Sequence, residues 1–172
     1  MTIIVRMVVS VCLAVSGLLA VAPAQAAGEL RIPSVGVTAP VVKVGMNRTG
    51  IIIPENPAHL GWWKRSATNR SHRGNSIVVG HVSDSQLNLG VFAQLRRTHR
   101  GDIVVWRTGE FTKRYRIVSK KKFLRSRPLP PRLFRMHGKH FLRMITCSDL
   151  VKLPDGYFHY TKNLVVTAEE VQ

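Results

Sequence analysis

Cys147 and His81 are the residues of this chain whose types and settings could do covalent chemistry together. Cys147 closes the run Phe141-Leu142-Arg143-Met144-Ile145-Thr146, whose apolar and β-branched residues read as a buried strand with the thiol at its exit. His81 closes a second such run, Ile77-Val78-Val79-Gly80. Glycine before the histidine permits close backbone approach beside the ring. A thiol is about two units too protonated at neutral pH to attack well, and an imidazolium beside it stabilises the thiolate. The imidazole can then protonate a leaving amine and later activate the nucleophile that resolves the thioester. The attacked carbonyl becomes an oxyanion, which calls for a hydrogen-bond donor or a positive charge. The plainer alternative is a structural histidine and a small buried cysteine. The pattern alone leaves both readings open.

The elements that would have to position this pair are short and β-rich. Leu30 to Val37 and Val41 to Val44 read as strands punctuated by Pro33 and Pro40, which suit edges and strand starts. Asn47-Arg48-Thr49-Gly50 reads as a turn, Ile51-Ile52-Ile53 as a strand and Glu55 to Arg73 as a loop carrying Gly61-Trp62-Trp63. The two tryptophans fit partly over the core, or else form a ligand wall. Val91 to Leu95 predicts a short helix with Phe92 and Leu95 inward, and Arg132 to Met136 another helical turn. Ile103 to Trp106 and Phe111 to Lys122 follow as strands, the second alternating apolar and basic residues as a half-wet strand should. Ser148 to Thr161 reads as a loop, and Asn163 to Ala168 as the strand that closes the sheet. Many short strands with one or two helical turns indicate an all-β sandwich or barrel.

The totals set the compartment and the company. Of the 172 residues, 26 are Lys or Arg and 9 Asp or Glu, for a formal charge of +17. A charge of that size favours anionic neighbours such as nucleic acid, lipid headgroups or acidic wall polymers. Residues 1–26 read as an export signal. Arg6 leads the apolar run Met7 to Ala22, Pro23 breaks it, and Ala24-Gln25-Ala26 fits a small-x-small cleavage site. A short uncleaved membrane anchor is the alternative. Cys12 follows Val11 within the apolar run, which does not suit a lipoprotein site. Removal of the leader would leave Cys147 as the lone cysteine of a single domain over residues 27–172. An unpaired thiol on an exported protein is a hazard unless buried or used.

Over nearly the whole mature chain, the sequence resembles a class F sortase, the small actinobacterial type. The resemblance is carried by Arg31-Ile32-Pro33, Gly36 to Val41, Gly61-Trp62, Gly74 to Val82, Val91 to Leu95, Gly101-Asp102, Leu142 to Cys147 and His159 to Val166. The Gly-His and Thr-Cys pairs are specific in this order and spacing. The resemblance implies a closed eight-stranded β-barrel with one or two short helices, and a cysteine transpeptidase without cofactor. Such an enzyme cleaves an LPxTG-like sorting signal of surface proteins between Thr and Gly and passes the acyl group to an amine of the cell wall or a pilin, or to water. By position, His81 is the general acid/base and Cys147 the nucleophile, at the outer face of the cytoplasmic membrane or the cell wall.

Two departures stand out. Sortases draw an arginine from the segment between the cysteine and the final strand, yet no arginine occurs from Ser148 to Gln172. Lys162 is the positional substitute, although lysine is a point charge and lacks arginine's planar fork. An arginine from elsewhere is the alternative. Arg143 shares the strand parity of Cys147 but lies about 13 Å along the strand. Ser83-Asp84 stands where the family has Asp directly after Gly-His-Val.

The remaining signals are weaker. His137 and His140 lack the acidic or thiol company of a metal site, and no carboxylate cluster suggests calcium. Arg96 to Arg100 and Lys120-Lys121-Lys122 read as a solvated basic face, without the interleaved aromatics of a specific nucleic-acid binder. The reading from a different class is a catalytically weak, sortase-like basic module that binds anionic wall or other envelope polymers.

Overall fold

The computed structural model describes residues 26–84 and 86–171. Residues 1–25 of the proposed leader, Cys12 among them, lie outside the described residues. Among the described residues ten strands form: β1 (Ala26–Ile32), β2 (Val37–Val44), β3 (Met46–Asn47), β4 (Gly50–Ile51), β5 (Leu60–Trp63), β6 (Asn75–Val79), β7 (Ile103–Thr108), β8 (Phe111–Leu124), β9 (Phe141–Lys152) and β10 (Phe158–Glu170). Eight of them close a barrel in the order β1-β2-β5-β6-β9-β10-β8-β7, as the resemblance implied. Three 3₁₀ turns complete the fold: Pro33–Val35, Val91–Arg97 and Pro131–Phe134. Both expected helical turns are therefore present in the tighter form. Phe92 and Leu95 point inward and are fully buried.

Period-2 alternation sorts the side chains into two apolar groups. Leu30, Val78, Phe92, Trp106, Leu142, Met144 and Leu164 belong to the barrel interior. Ile77, Val79, Ile145 and Val165, on the opposite faces of the same strands, form an outer group with Leu133. Each fully buried side chain of this size contributes about 1.5–3 kcal/mol. The larger inner group holds the barrel closed, while the outer group supports one wall. Trp62 joins the interior and donates its indole N–H to the Ala67 carbonyl at 3.0 Å. Trp63 packs edge-on against Phe134 at the outer group.

Four expectations need correction. Glu55 to Arg73 is not a loop throughout, because Leu60–Trp63 forms the barrel strand β5 between β2 and β6. Leu30 to Val37 is not one strand, because Pro33 opens a 3₁₀ turn that ends β1 at Ile32. Of Ile51-Ile52-Ile53 only Ile51 is in a strand, because Met46 to Ile51 folds as a separate hairpin. The Asn47 side chain closes that hairpin by accepting from the Thr49 and Gly50 amides at 2.9 and 3.1 Å. The segment Ser148 to Thr161 is not a loop. β9 runs on past Cys147 to Lys152 and pairs with β10 from Phe158, so the thiol lies within a strand. The pairing survives beyond the barrel wall because β9 and β10 continue as a two-stranded arm, with Leu150, Tyr157 and Phe158 exposed. That exposure removes the burial pattern by which the strand could have been read.

Candidate active site

The central seam of the barrel is the parallel pair β6–β9, in register from Asn75↔Phe141 to Val79↔Ile145. β6 ends there while β9 continues. Gly80 N–H donates to the Ile145 carbonyl at 3.2 Å, and the Thr146 hydroxyl donates to the Gly80 carbonyl at 2.7 Å. These bonds carry the register one step past the last ladder pair. His81 and Cys147 are the next residues on the two strands, in the register that pairs Val79 with Ile145. The fold thus sets the backbones of His81 and Cys147 at equivalent positions on neighbouring segments, with Cys147 in the groove described next and the His81 ring bonded to Pro54.

Past Val79, β9 has no strand on its β6 side, and a groove of about 650 Å³ opens against the outer apolar group. Val79, Ile145 and Cys147 line its floor. Ile51 and Ile53 of the hairpin segment lie along one wall, and Arg125 to Leu129 with Phe134 along another. A second cavity, of about 420 Å³, also reaches Cys147, between Val82, Phe92, Asp149 and Tyr160. The half-buried thiol therefore stands at a partition between two openings.

The ring of His81 has its Nε2 3.0 Å from the Pro54 carbonyl. A carbonyl oxygen only accepts, so Nε2 carries the hydrogen and Nδ1 is left for proton exchange. The backbone around the ring is tightly packed. A Cβ at Gly90 would fall 2.4 Å from the His81 carbonyl oxygen and 2.7 Å from the His81 Cβ. A Cβ at Gly80 would fall 2.6 Å from Leu60 and 2.8 Å from Phe92. The following loop is tied to β10 by the hydroxyl pair Ser83–Tyr160 at 2.8 Å. Asp84 turns away from this contact. It accepts from the Gln86 and Asn88 amides and the Asn88 side chain, which hold its carboxyl below the usual range.

Burial pushes the Cys147 thiol up, and the charge of Arg125 opposes that shift. Arg125 follows the end of β8. Its N–H donates to the Thr161 carbonyl at 2.9 Å, and its guanidinium Nη1 donates to the Tyr160 carbonyl at 3.4 Å. Reading the sequence for cations after Cys147 missed this residue, because it precedes the cysteine by 22 positions and belongs to a basic stretch that looks solvated. The usable signal was its place just beyond a long strand.

Lys162 is not brought to the groove. It alternates with Asn163, which is the residue directly across from Cys147 and shares its groove face. The Lys162 Nζ instead pairs with Asp149 at 2.8 Å, and Lys122 pairs with the same carboxylate. Hydrogen bonds from Lys122 and then Lys162 hold the Asp149 carboxyl below its ordinary value. Asp149 takes a left-handed backbone (φ 58), which turns β9 just past the thiol. Arg143 is also spent elsewhere, donating to Asn75 at 3.3 Å and Thr167 at 2.5 Å, so it is not a groove cation. His140 is buried, with Nε2 2.9 Å from the Ser76 hydroxyl, and is packed on Tyr115.

Comparison with known proteins follows the same fold. A family model described as a sortase domain matches residues 30–171. The chain is similar to the solved structure of sortase C-1 from Actinomyces oris, with a TM-score of 0.66 and 18% identity over 90% of this chain and 77% of that one. It is similar to sortase A from Listeria monocytogenes, with a TM-score of 0.63 and 18% identity over 86% and 88%. Sortase C1 from Streptococcus agalactiae gives a TM-score of 0.64 and 21% identity over 90% and 72%. No curated protein sequence matches the chain.

Proposed function

The chain belongs to the sortase family, the cysteine transpeptidases that act on LPxTG-type sorting signals, and we propose that within it Cys147 is the nucleophile and His81 the general acid/base. The observation that carries this assignment is the shared register of the two residues beyond Val79 and Ile145, with the thiol on the floor of an open groove. The apolar floor and walls suit an extended peptide with a small number of buried side chains. Loss of the thiol proton to the imidazole gives the thiolate, which attacks the carbonyl carbon of the scissile bond. Its π pair moves to oxygen, and collapse of the oxyanion expels the amine, which takes the proton from the imidazole. An acceptor amine, from the wall or a pilin, or else water, resolves the thioester and returns a proton through the same ring. Lys162 has no part in these steps in our reading, because its charge is committed to Asp149.

The finer assignment is to class F, supported by the run Gly74 to Val82 together with Leu142 to Cys147. Work at the outer face of the membrane or in the cell wall is supported by the leader-like residues 1–26 and by the family's chemistry. The family match favours transpeptidation over the reading as a basic polymer-binding module.

The deciding experiment mixes the protein with an LPxTG peptide and weighs the intact protein by mass spectrometry. The expected result is an acyl adduct on Cys147 that disappears when an amine is supplied. Absence of an adduct on the wild type, or its persistence in Cys147→Ala, overturns the reading.

A further inference from the structure

We propose that Arg125, delivered by the end of β8, is the cation that stabilises the Cys147 thiolate and the oxyanion, in a site where the residue facing Cys147 across β10 is the uncharged Asn163. This inference rests on the sortase reading of the groove and names a residue that acts within it.

The strand register places the three residues on one line. Asn163 pairs with Cys147 on β9 and with Phe123 on β8. Phe123 packs against the outer apolar group, on the groove side of the sheet. Arg125 is the next residue of the same parity, one step past the last ladder pair, Leu124↔Lys162. Its Cα is thus about two strand spacings, roughly 10 Å, and two residues, roughly 7 Å, from that of Cys147. That gap suits a long side chain reaching back over β10. Arg125, Asn163 and Cys147 all line the same groove. The amide bond to Thr161 fixes the root of the side chain, and the bond to the Tyr160 carbonyl parks the guanidinium on the side of Thr161 away from Asn163, from where it has to swing back over β10 to meet the oxyanion.

Arg127 also lines the groove, but it lies two residues further from the end of β8, and Arg125 is the cation whose charge bears on the thiol. Lys122 and Lys162 share Asp149, which holds both ammonium groups at that carboxylate and leaves one net positive charge over the three groups. Asn163 can donate one amide N–H to the carbonyl oxygen but carries no charge. When the thiolate adds to the scissile carbon, the negative charge passes from sulfur to that oxygen. A guanidinium on the groove wall stays near the charge in both states, and its planar donors can bond the oxyanion directly. The step consumes nothing else. The proton goes from thiol to imidazole to leaving amine, and Arg125 stays protonated throughout.

The test compares Arg125→Gln, Arg125→Lys, Lys162→Gln and the double variant Arg125→Gln/Asn163→Arg with the wild type. Two readouts are followed: cleavage of an LPxTG peptide and the pH profile of Cys147 alkylation. Arg125→Gln is expected to lower kcat about 100-fold or more, with a smaller effect on KM, as for loss of an oxyanion donor. Its alkylation inflexion should move to higher pH. Arg125→Lys should retain part of both properties, and Asn163→Arg should restore activity to the Gln variant by presenting a guanidinium directly opposite the sulfur. Wild-type kcat and an unmoved alkylation profile in Arg125→Gln overturn the assignment, as does the same loss in Lys162→Gln alone. A wild type that cleaves no sorting peptide removes the sortase reading itself, which is a separate outcome.

Discussion

The Thr146 hydroxyl donates to the Gly80 carbonyl at 2.7 Å, and this bond joins the residues that stand immediately before the nucleophile and the imidazole. Ladder pairing between β6 and β9 has ended one residue earlier on each strand. The bond therefore sets the relative height of Cys147 and His81 where the sheet no longer does.

Thr146→Val keeps the side-chain shape and leaves the buried Gly80 carbonyl with one partner fewer. The expected cost is about 1–3 kcal/mol of stability. Peptide cleavage should fall further than stability accounts for, by about 10-fold or more, since a 1 Å misplacement can cost about 100-fold. Thr146→Ser should recover most of the rate. Urea unfolding together with cleavage kinetics checks both halves, and a Val variant with wild-type kcat would show that the bond is not what positions the pair.

Gly90→Ala tests the tight packing at His81. The added methyl meets the His81 carbonyl oxygen and Cβ, so the ring or the turn at Val91 must shift. Cleavage should drop about 10-fold or more through misplacement of the base. A Gly90→Ala variant with wild-type cleavage would show that this packing does not position the base.

Alkylation of Cys147 in the free enzyme should rise with pH through an inflexion above that of an ordinary thiol. Burial, which raises the thiol, is the larger influence, and Arg125 offsets only part of it. At neutral pH the resting form is therefore chiefly the thiol. Iodoacetamide rates between about pH 6 and 10 provide the measurement. A plateau already reached below neutrality would mean a preformed thiolate and would contradict this ordering of effects.

His140 gives the fold an acid-sensitive element away from the groove. Burial, aided by the charges of Lys113 and His72 and opposed by Glu170, lowers it from 6.5 to about 4. The folded protein thus resists binding a proton that the unfolded chain accepts below pH 6.5. The associated stability is fully present above that value and is lost as the pH falls towards 4. The expected loss by about pH 4.5 is roughly 2–3 kcal/mol. Urea midpoints of His140→Phe should lack this slope; an equal slope in the variant would place the acid sensitivity elsewhere.

The sequence made the ends of the two central strands legible because burial on both faces leaves near-continuous apolar runs there. Ile77 to Val79 and Leu142 to Thr146 are buried almost without interruption. Closure of the barrel came from the resemblance, not from periodicity, since pairing partners such as Val79 and Ile145 are set by tertiary contacts. The extension of β9 to Lys152 escaped notice because its residues are mostly exposed and Asp149 breaks the regular backbone. The identity of the groove cation was hidden for a related reason. Arg125 and Lys162 both flank strand sequence, and only the register and the Asp149 pairing separate a charge at the groove from one held at a carboxylate.

The middle position of β9 also orders events during synthesis. β9 is bonded on one side to β6, made some seventy residues earlier, and on the other to β10, which leaves the ribosome after it. A nascent chain that has just exposed its cysteine therefore has neither a finished seam nor the flank that carries Asn163. Because closing such long-range pairings is slow compared with local turns, reactivity is delayed until β10 has been made and paired.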